Sequence, residues 1–238
     1  LLFRARFAVA TPVPASLTRI PVSPCIRYNS MQTNRIPCAP EEAVMKLPEV
    51  LAEVDAECRK RSIPMLGAEK ATKLVEWIRE ARPELVVEVG TAIGYSGLWI
   101  ADLLRELGCG RLMTFEQDAD RAAEAGRNFQ RAGVADFITQ VVGDARVRVA
   151  EVREPIDVLF LDGGFANYYA CFLACKQQLR DGALIIADNA GIGAEEMKDY
   201  LDYVRSHYLS RTEWFETDLA WNPRDAMEIT QYRSVSTV

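Results

Sequence analysis

Five short β-rich runs, LVVEV (85–89), RLMTF (111–115), FITQVV (137–142), IDVLFL (156–161) and ALIIA (183–187), alternate with helical segments of roughly a dozen residues. That alternation predicts βαβ units and a parallel sheet. LVVEV, VLFL and LIIA are almost wholly apolar, as strands covered by helices on both faces must be. Upstream, apolar residues recur at helical spacing from Glu41 to Lys60, with Pro48 expected to divide or kink the segment, and again from Gly67 to Arg82, where Pro83 ends the helix. Past a last helix, Glu195 to His207, come TEWFETDLAW (212–221) and AMEITQYR (226–233), separated by Asn222, Pro223, Arg224 and Asp225. This pattern predicts a hairpin at the sheet edge. The expected fold is a doubly wound α/β sheet, mostly parallel, with an antiparallel C-terminal hairpin and helices on both faces.

The chain divides by composition into an arm, 1–40, and one domain, 41–238. The arm holds five arginines, six prolines and no acid, a composition that packs no core and is expected to stay flexible. It suits an organellar transit peptide, and equally a disordered or non-native upstream stretch, with Met31 and Met45 as candidate starts. With 28 basic and 34 acidic residues in all, removing the arm leaves 23 against 34, a net charge of −11. So acidic a body is a poor partner for nucleic acid. No apolar run has the length of a membrane span. The six cysteines show neither disulfide-framework nor metal spacing, and Cys171 and Cys175, one helical turn apart, fit a helix core. A reducing intracellular compartment is expected, cytoplasmic, or mitochondrial if the arm is a transit peptide.

Parallel α/β sheets bind ligands beyond the carboxyl ends of their strands. After the first run, EVGTAIGYSG (88–97) gives a glycine turn leading into a helix N-terminus, without dinucleotide GxGxxG spacing and without the Lys-Ser/Thr of a phosphate loop. Glu116 ends the second run, where such sheets place an acid for ribose hydroxyls. Gly143 and Asp144 follow the third; Asp144 is suited to a hydrogen bond near an adenine and also to capping the next helix, and both can hold. An adenosine without phosphates fits this set, and S-adenosylmethionine is the candidate.

From about Gly67 to Arg233, the segments LGAEK, EVGTAIGYSG, VVGDA, LFLDGG, NYY, ADN and DAMEITQY occur in order. In this the chain resembles the class I methyltransferases, specifically the cation-dependent catechol and caffeoyl-CoA O-methyltransferase group. The resemblance implies a Rossmann-like methyltransferase sheet with strand order 3-2-1-4-5-7-6. It implies a cofactor site built from Leu66, from Glu88, Gly90, Thr91, Gly94, Tyr95 and Ser96 around the glycine loop, from Glu116 and Gln117, and from Asp144, Ala145 and Asp162.

Beside that site, Asp162 ends the fourth run, and Asp188 with Asn189 ends the fifth. Three oxygen donors on neighbouring strands suit Mg²⁺ or another hard divalent cation, leaving positions for two vicinal substrate oxygens; the alternative is a helix cap at Asp162 and a shaped turn at ADN. In the family pattern the metal aspartate is followed three residues later by a base lysine; here that position is Phe165. Three explanations stay open: the metal acidifies the substrate enough for water to take the proton, another residue such as Tyr168 serves, or the protein binds the cofactor without turnover. Glu228, in DAME, aligns with the acid that contacts the second hydroxyl of a catechol; otherwise it is expected to be an exposed edge-strand carboxylate. Trp214, Trp221 and Tyr232 suit an aromatic pocket or simple packing. The lone histidine, His207, is given no catalytic role. The expected activity is O-methyl transfer to a small phenolic or catechol-like substrate. The alternatives are a tRNA hydroxyuridine-type methyltransferase and a catalytically impaired cofactor-binding protein.

Overall fold

Seven strands form one sheet in the order β3-β2-β1-β4-β5-β7-β6. The computed structural model describes residues 45–217 and 224–234. The 1–40 arm, the first residues of the predicted opening helix, Trp221, and the Asn222–Pro223 part of the predicted turn lie outside them. β1 (Leu85–Val89), β2 (Arg111–Glu116), β3 (Ile138–Val142), β4 (Ile156–Leu161) and β5 (Leu179–Ala187) run parallel. β7 (Arg224–Gln231) is antiparallel to both β5 and β6 (Leu209–Glu216).

Alternation along each strand sends side chains to two cores. On one face, α1 (Leu47–Arg61), α2 (Ala68–Ala81), α3 (Tyr95–Leu107) and α4 (Ala119–Arg131) cover Val86, Val158, Phe160, Ile186 and Met227. On the other, α6 (Tyr168–Cys175) and α7 (Lys198–His207), with the short α5 (Ala145–Arg148) beside them, cover Val87, Leu159, Leu161, Ile185 and Ala187. All of β1 is buried, as its apolar run requires. Cys171 and Cys175 lie in the second core, where burial pushes their thiols up to about 11 and about 12; they are packing groups, not nucleophiles. Among the described residues no helix is long and apolar enough to cross a membrane.

Four boundaries differ from those expected. Pro48 sits in the first turn of α1, where a missing N–H costs nothing, so it starts the helix instead of kinking it. α7 begins at Lys198, because residues 188–197 form turns, with Asn189 in the left-handed region. The hairpin strands span 209–216 and 224–231, so Arg224 and Asp225 belong to a strand, not a turn. β5 starts at Leu179, ahead of the expected Ala183.

The turn after β1 passes directly over the end of β4. Gly90 has φ +104°, and a Cβ there would stand 2.2 Å from the Asp162 carbonyl oxygen. Gly108, past the end of α3, has φ +68° but open space around it. Gly90→Ala is therefore expected to cost about 3 kcal/mol or more through strain and backbone collision together, and Gly108→Ala only about 1 kcal/mol. Urea denaturation of both variants checks this; equal losses would contradict it.

Candidate active site

The glycine turn is held from below by a buried polar network. Glu88, fully buried in β1, accepts from Ser96 Oγ at 2.5 Å and from Thr114 Oγ1 at 2.6 Å, and Thr114 shares a 2.5 Å contact with Thr91 Oγ1. Burial pushes the Glu88 carboxyl up to about 7, against the two hydroxyl donors. From the side, Glu116 accepts the backbone N–H of Ala92 at 2.8 Å and of Asp118 at 3.0 Å. Ala92, with φ +46°, is thereby fixed in a strained turn conformation. Asn128 Nδ2 donates to the Ile93 carbonyl at 2.9 Å, a contact no local pattern announces.

The remaining residues expected at the cofactor differ in exposure. Leu66 and Tyr95 are buried, Gln117 is exposed and Ala145 half-buried. Asp144 caps α5 through the Arg146 N–H at 2.9 Å, and the Arg146 side chain beside it holds its carboxyl below the usual range. Gly94 precedes α3 in left-handed conformation.

Asp162 and Asp188 follow directly on Leu161 and Ala187, which are register partners on β4 and β5. Asp188 N–H donates to the Leu161 carbonyl at 2.9 Å, so the two aspartates stand side by side. Into this corner α2 inserts Lys70. Its ammonium, buried with the carboxylates, donates to Asp188 Oδ1 at 2.6 Å and to Asp225 Oδ2 at 2.5 Å. Asn189 Nδ2 also donates to Asp225 Oδ2, at 2.8 Å. Burial alone would lower Lys70, but the two aspartates outweigh it and keep the ammonium protonated. Asp188 rises to about 6, through burial and despite Lys70. Asp162, raised well above the carboxylate range by burial, Asp188 and Glu88, accepts no side-chain hydrogen bond among the described residues. Nor is there among them a group of three or more His, Cys, Asp or Glu arranged to hold a metal ion; the set expected from sequence has two carboxylates and an amide.

A methyltransferase-domain family model matches residues 87–190. Catechol O-methyltransferase of Bos taurus is 29% identical over 196 residues, 79% of this chain and 71% of that protein. Catechol O-methyltransferase B of Danio rerio is 31% identical over 185 residues, 72% of this chain and 67% of that protein. The chain belongs to the class I S-adenosylmethionine-dependent O-methyltransferases of the catechol and caffeoyl-CoA group. In fold it also matches the O-methyltransferase TomG from Streptomyces achromogenes, solved with SAM, at a TM-score of 0.67 and 21% identity over 78% of this chain and 90% of that one.

Three further residues singled out in the sequence have defined surroundings in this methyltransferase. Glu228 is not brought to the aspartate cluster: it is buried on the α7 face, where Arg205 donates to both its oxygens at 2.9 and 2.7 Å and Thr212 adds a third bond at 2.6 Å. Phe165, at the position of the missing lysine, packs against Gly193 and meets Tyr168 edge-on at 6.4 Å. Tyr168 is fully buried, its hydroxyl has no hydrogen-bond partner among the described residues, and burial together with Asp162 and Asp188 drives its phenol well above the usual range, so it is no proton acceptor near neutrality. Of the aromatic residues, Tyr232 packs in the second core against Tyr208, and Trp214 carries the Arg224 guanidinium at 5.2 Å.

Glu88 makes stability depend on pH. Its pKa is about 7 folded against 4.5 for the free side chain, so between those values the folded state keeps a proton that the unfolded state has released. Stability therefore falls as pH rises through that window, by about 3 kcal/mol from this group. Glu88→Gln is expected to lose correspondingly less stability than wild type between pH 5 and pH 8 in urea titrations. Identical losses would contradict the assignment.

Proposed function

We propose that this enzyme transfers the methyl group of S-adenosylmethionine to a hydroxyl of a small catechol-like acceptor, held at the ends of β4 and β5 by Mg²⁺ or a similar divalent cation. The observation that carries this reading is a charge imbalance. Three acids, Asp162, Asp188 and Asp225, gather near one ammonium, and Lys70 binds only Asp188 and Asp225, so that Asp162 accepts no side-chain hydrogen bond among the described residues and is pushed by burial and by its acidic neighbours toward the protonated form. Carboxylates crowded in this way are costly to ionise without a partner, and a divalent cation would hold Asp162 and Asp188 in their charged form.

The donor set suits a hard ion. Asp188 keeps Oδ2, Asn189 keeps Oδ1 because its Nδ2 is committed to Asp225, and Asp162 keeps its whole carboxylate. Bound there, such a cation would supply Lewis acidity toward the acceptor hydroxyl. The chain's own residues do the rest. The turn from Gly90 to Gly94, with Glu116 toward the ribose and Asp144 toward the adenine, orients the cofactor. Because Gly90 lies against the Asp162 backbone, methyl donor and acceptor are held side by side, which is where positioning acts on the rate.

Of three described side chains that could be considered for the base, Phe165, Lys70 and Tyr168, none stands ready. Phe165 carries no proton, Lys70 is held protonated by two aspartates, and the Tyr168 phenol is too weakly acidic to give a phenolate. The acceptor proton therefore passes to water. A positioned base contributes about 10²–10⁴-fold, so turnover is slow but present. Phe165→Lys is expected to raise the rate at least about tenfold on vicinal diphenols in a methyl-transfer assay with Mg²⁺. Binding of S-adenosylmethionine with no methyl transfer by wild type or variant would leave a cofactor-binding protein without turnover.

A further inference from the structure

Asp225, the first residue of the DAMEITQY segment, is the most heavily engaged side chain at the site. It lies buried near the start of β7. Its Oδ2 receives Lys70 Nζ at 2.5 Å and Asn189 Nδ2 at 2.8 Å, while its Oδ1 receives the backbone N–H of Ile192 at 2.9 Å and of Gly191 at 3.2 Å. One carboxylate thus ties three separate pieces of chain together: the helix α2, the strand β7 and the turn that follows β5. Gly191 shows how closely that turn is drawn in, since a Cβ there would stand 2.9 Å from the Ala226 nitrogen. Within the turn, Asn189 holds φ +60°, a left-handed conformation that asparagine tolerates better than most other side chains.

The consequence is directional. With Nδ2 facing Asp225, the Asn189 amide can present only its oxygen on the opposite side. Asp188, with Oδ1 taken by Lys70, presents Oδ2. We infer that Asp225 and Lys70 are positioning residues that fix which oxygens of Asp188 and Asn189 are offered to a divalent cation. This rests on the cation reading above, and concerns the groups behind the donors instead of the donors themselves. Such outer partners commonly govern metal affinity by 10–100-fold.

Two variants of opposite charge separate positioning from simple electrostatics. Asp225→Asn removes a negative charge beside the site; Lys70→Met removes a positive one. If these groups acted only through charge, Mn²⁺ would bind the first more weakly and the second more tightly. Positioning requires both to bind more weakly, by about tenfold or more. The full chain, saturated with S-adenosylhomocysteine, is titrated with Mn²⁺ and the free ion followed by electron paramagnetic resonance. Calorimetry with S-adenosylmethionine and far-ultraviolet circular dichroism confirm an unchanged cofactor affinity and fold. Should Lys70→Met not fold, Lys70→Gln, which also removes the charge, carries the comparison. Weaker binding by both variants supports the inference. Affinities that move in opposite directions, or that do not move, overturn it while leaving the cation site standing. A wild-type protein that binds S-adenosylmethionine but no Mn²⁺ overturns the cation site itself, and this inference with it.

Discussion

The buried ammonium of Lys70, shared between Asp188 and Asp225, is the contact on which the arrangement of the site depends. Buried ion pairs seldom add net stability, because the loss of hydration roughly cancels the attraction. What this one supplies is placement. It draws the first turn of α2 onto the ends of β5 and β7 and fixes one oxygen of Asp188. Through Asp225 it also sets the amide of Asn189 and the turn that leads toward α7. Removing one member would leave the others charged and buried, a change that typically costs 3–5 kcal/mol.

The cofactor side is joined to this corner by backbone, not by charge. Gly90 lies against the Asp162 carbonyl and Gly163 against the Val89 carbonyl, so the turn after β1 and the end of β4 share one surface. The polar network of Glu88, Ser96, Thr91 and Thr114 stiffens that turn from beneath, and Glu116 does so from the side. The glycine turn and the aspartate corner are thereby kept at a fixed separation by the sheet itself.

The sheet and its parallel core were legible because each strand is a short apolar run and each crossover a helical period. Asp162 and Asp188 were legible for the same reason, as the residues that break those runs. Lys70 was not. It ends the LGAEK segment, but it sits in an ordinary amphipathic helix and its partners lie 118 and 155 residues away, so the helical pattern alone does not assign it a buried role. Asp225 was hidden by its neighbours, since Asn-Pro-Arg-Asp has the composition of a turn, and its strand role is decided by donors from elsewhere in the chain. Glu228 could have been placed better by parity: it is three residues from Asp225 on one strand, and odd spacing sends the two side chains to opposite faces. That spacing explains why Asp225 meets α2 while Glu228 meets Arg205 of α7.

The most direct test is crystallographic. Crystals grown with S-adenosylhomocysteine and Mn²⁺, and measured where manganese scatters anomalously, should show one strong anomalous peak among Asp162, Asp188 and Asn189, with Lys70 still bridging Asp188 and Asp225. A map with the nucleoside bound in the glycine turn and no such peak, or a manganese ion held by other residues, would contradict the account.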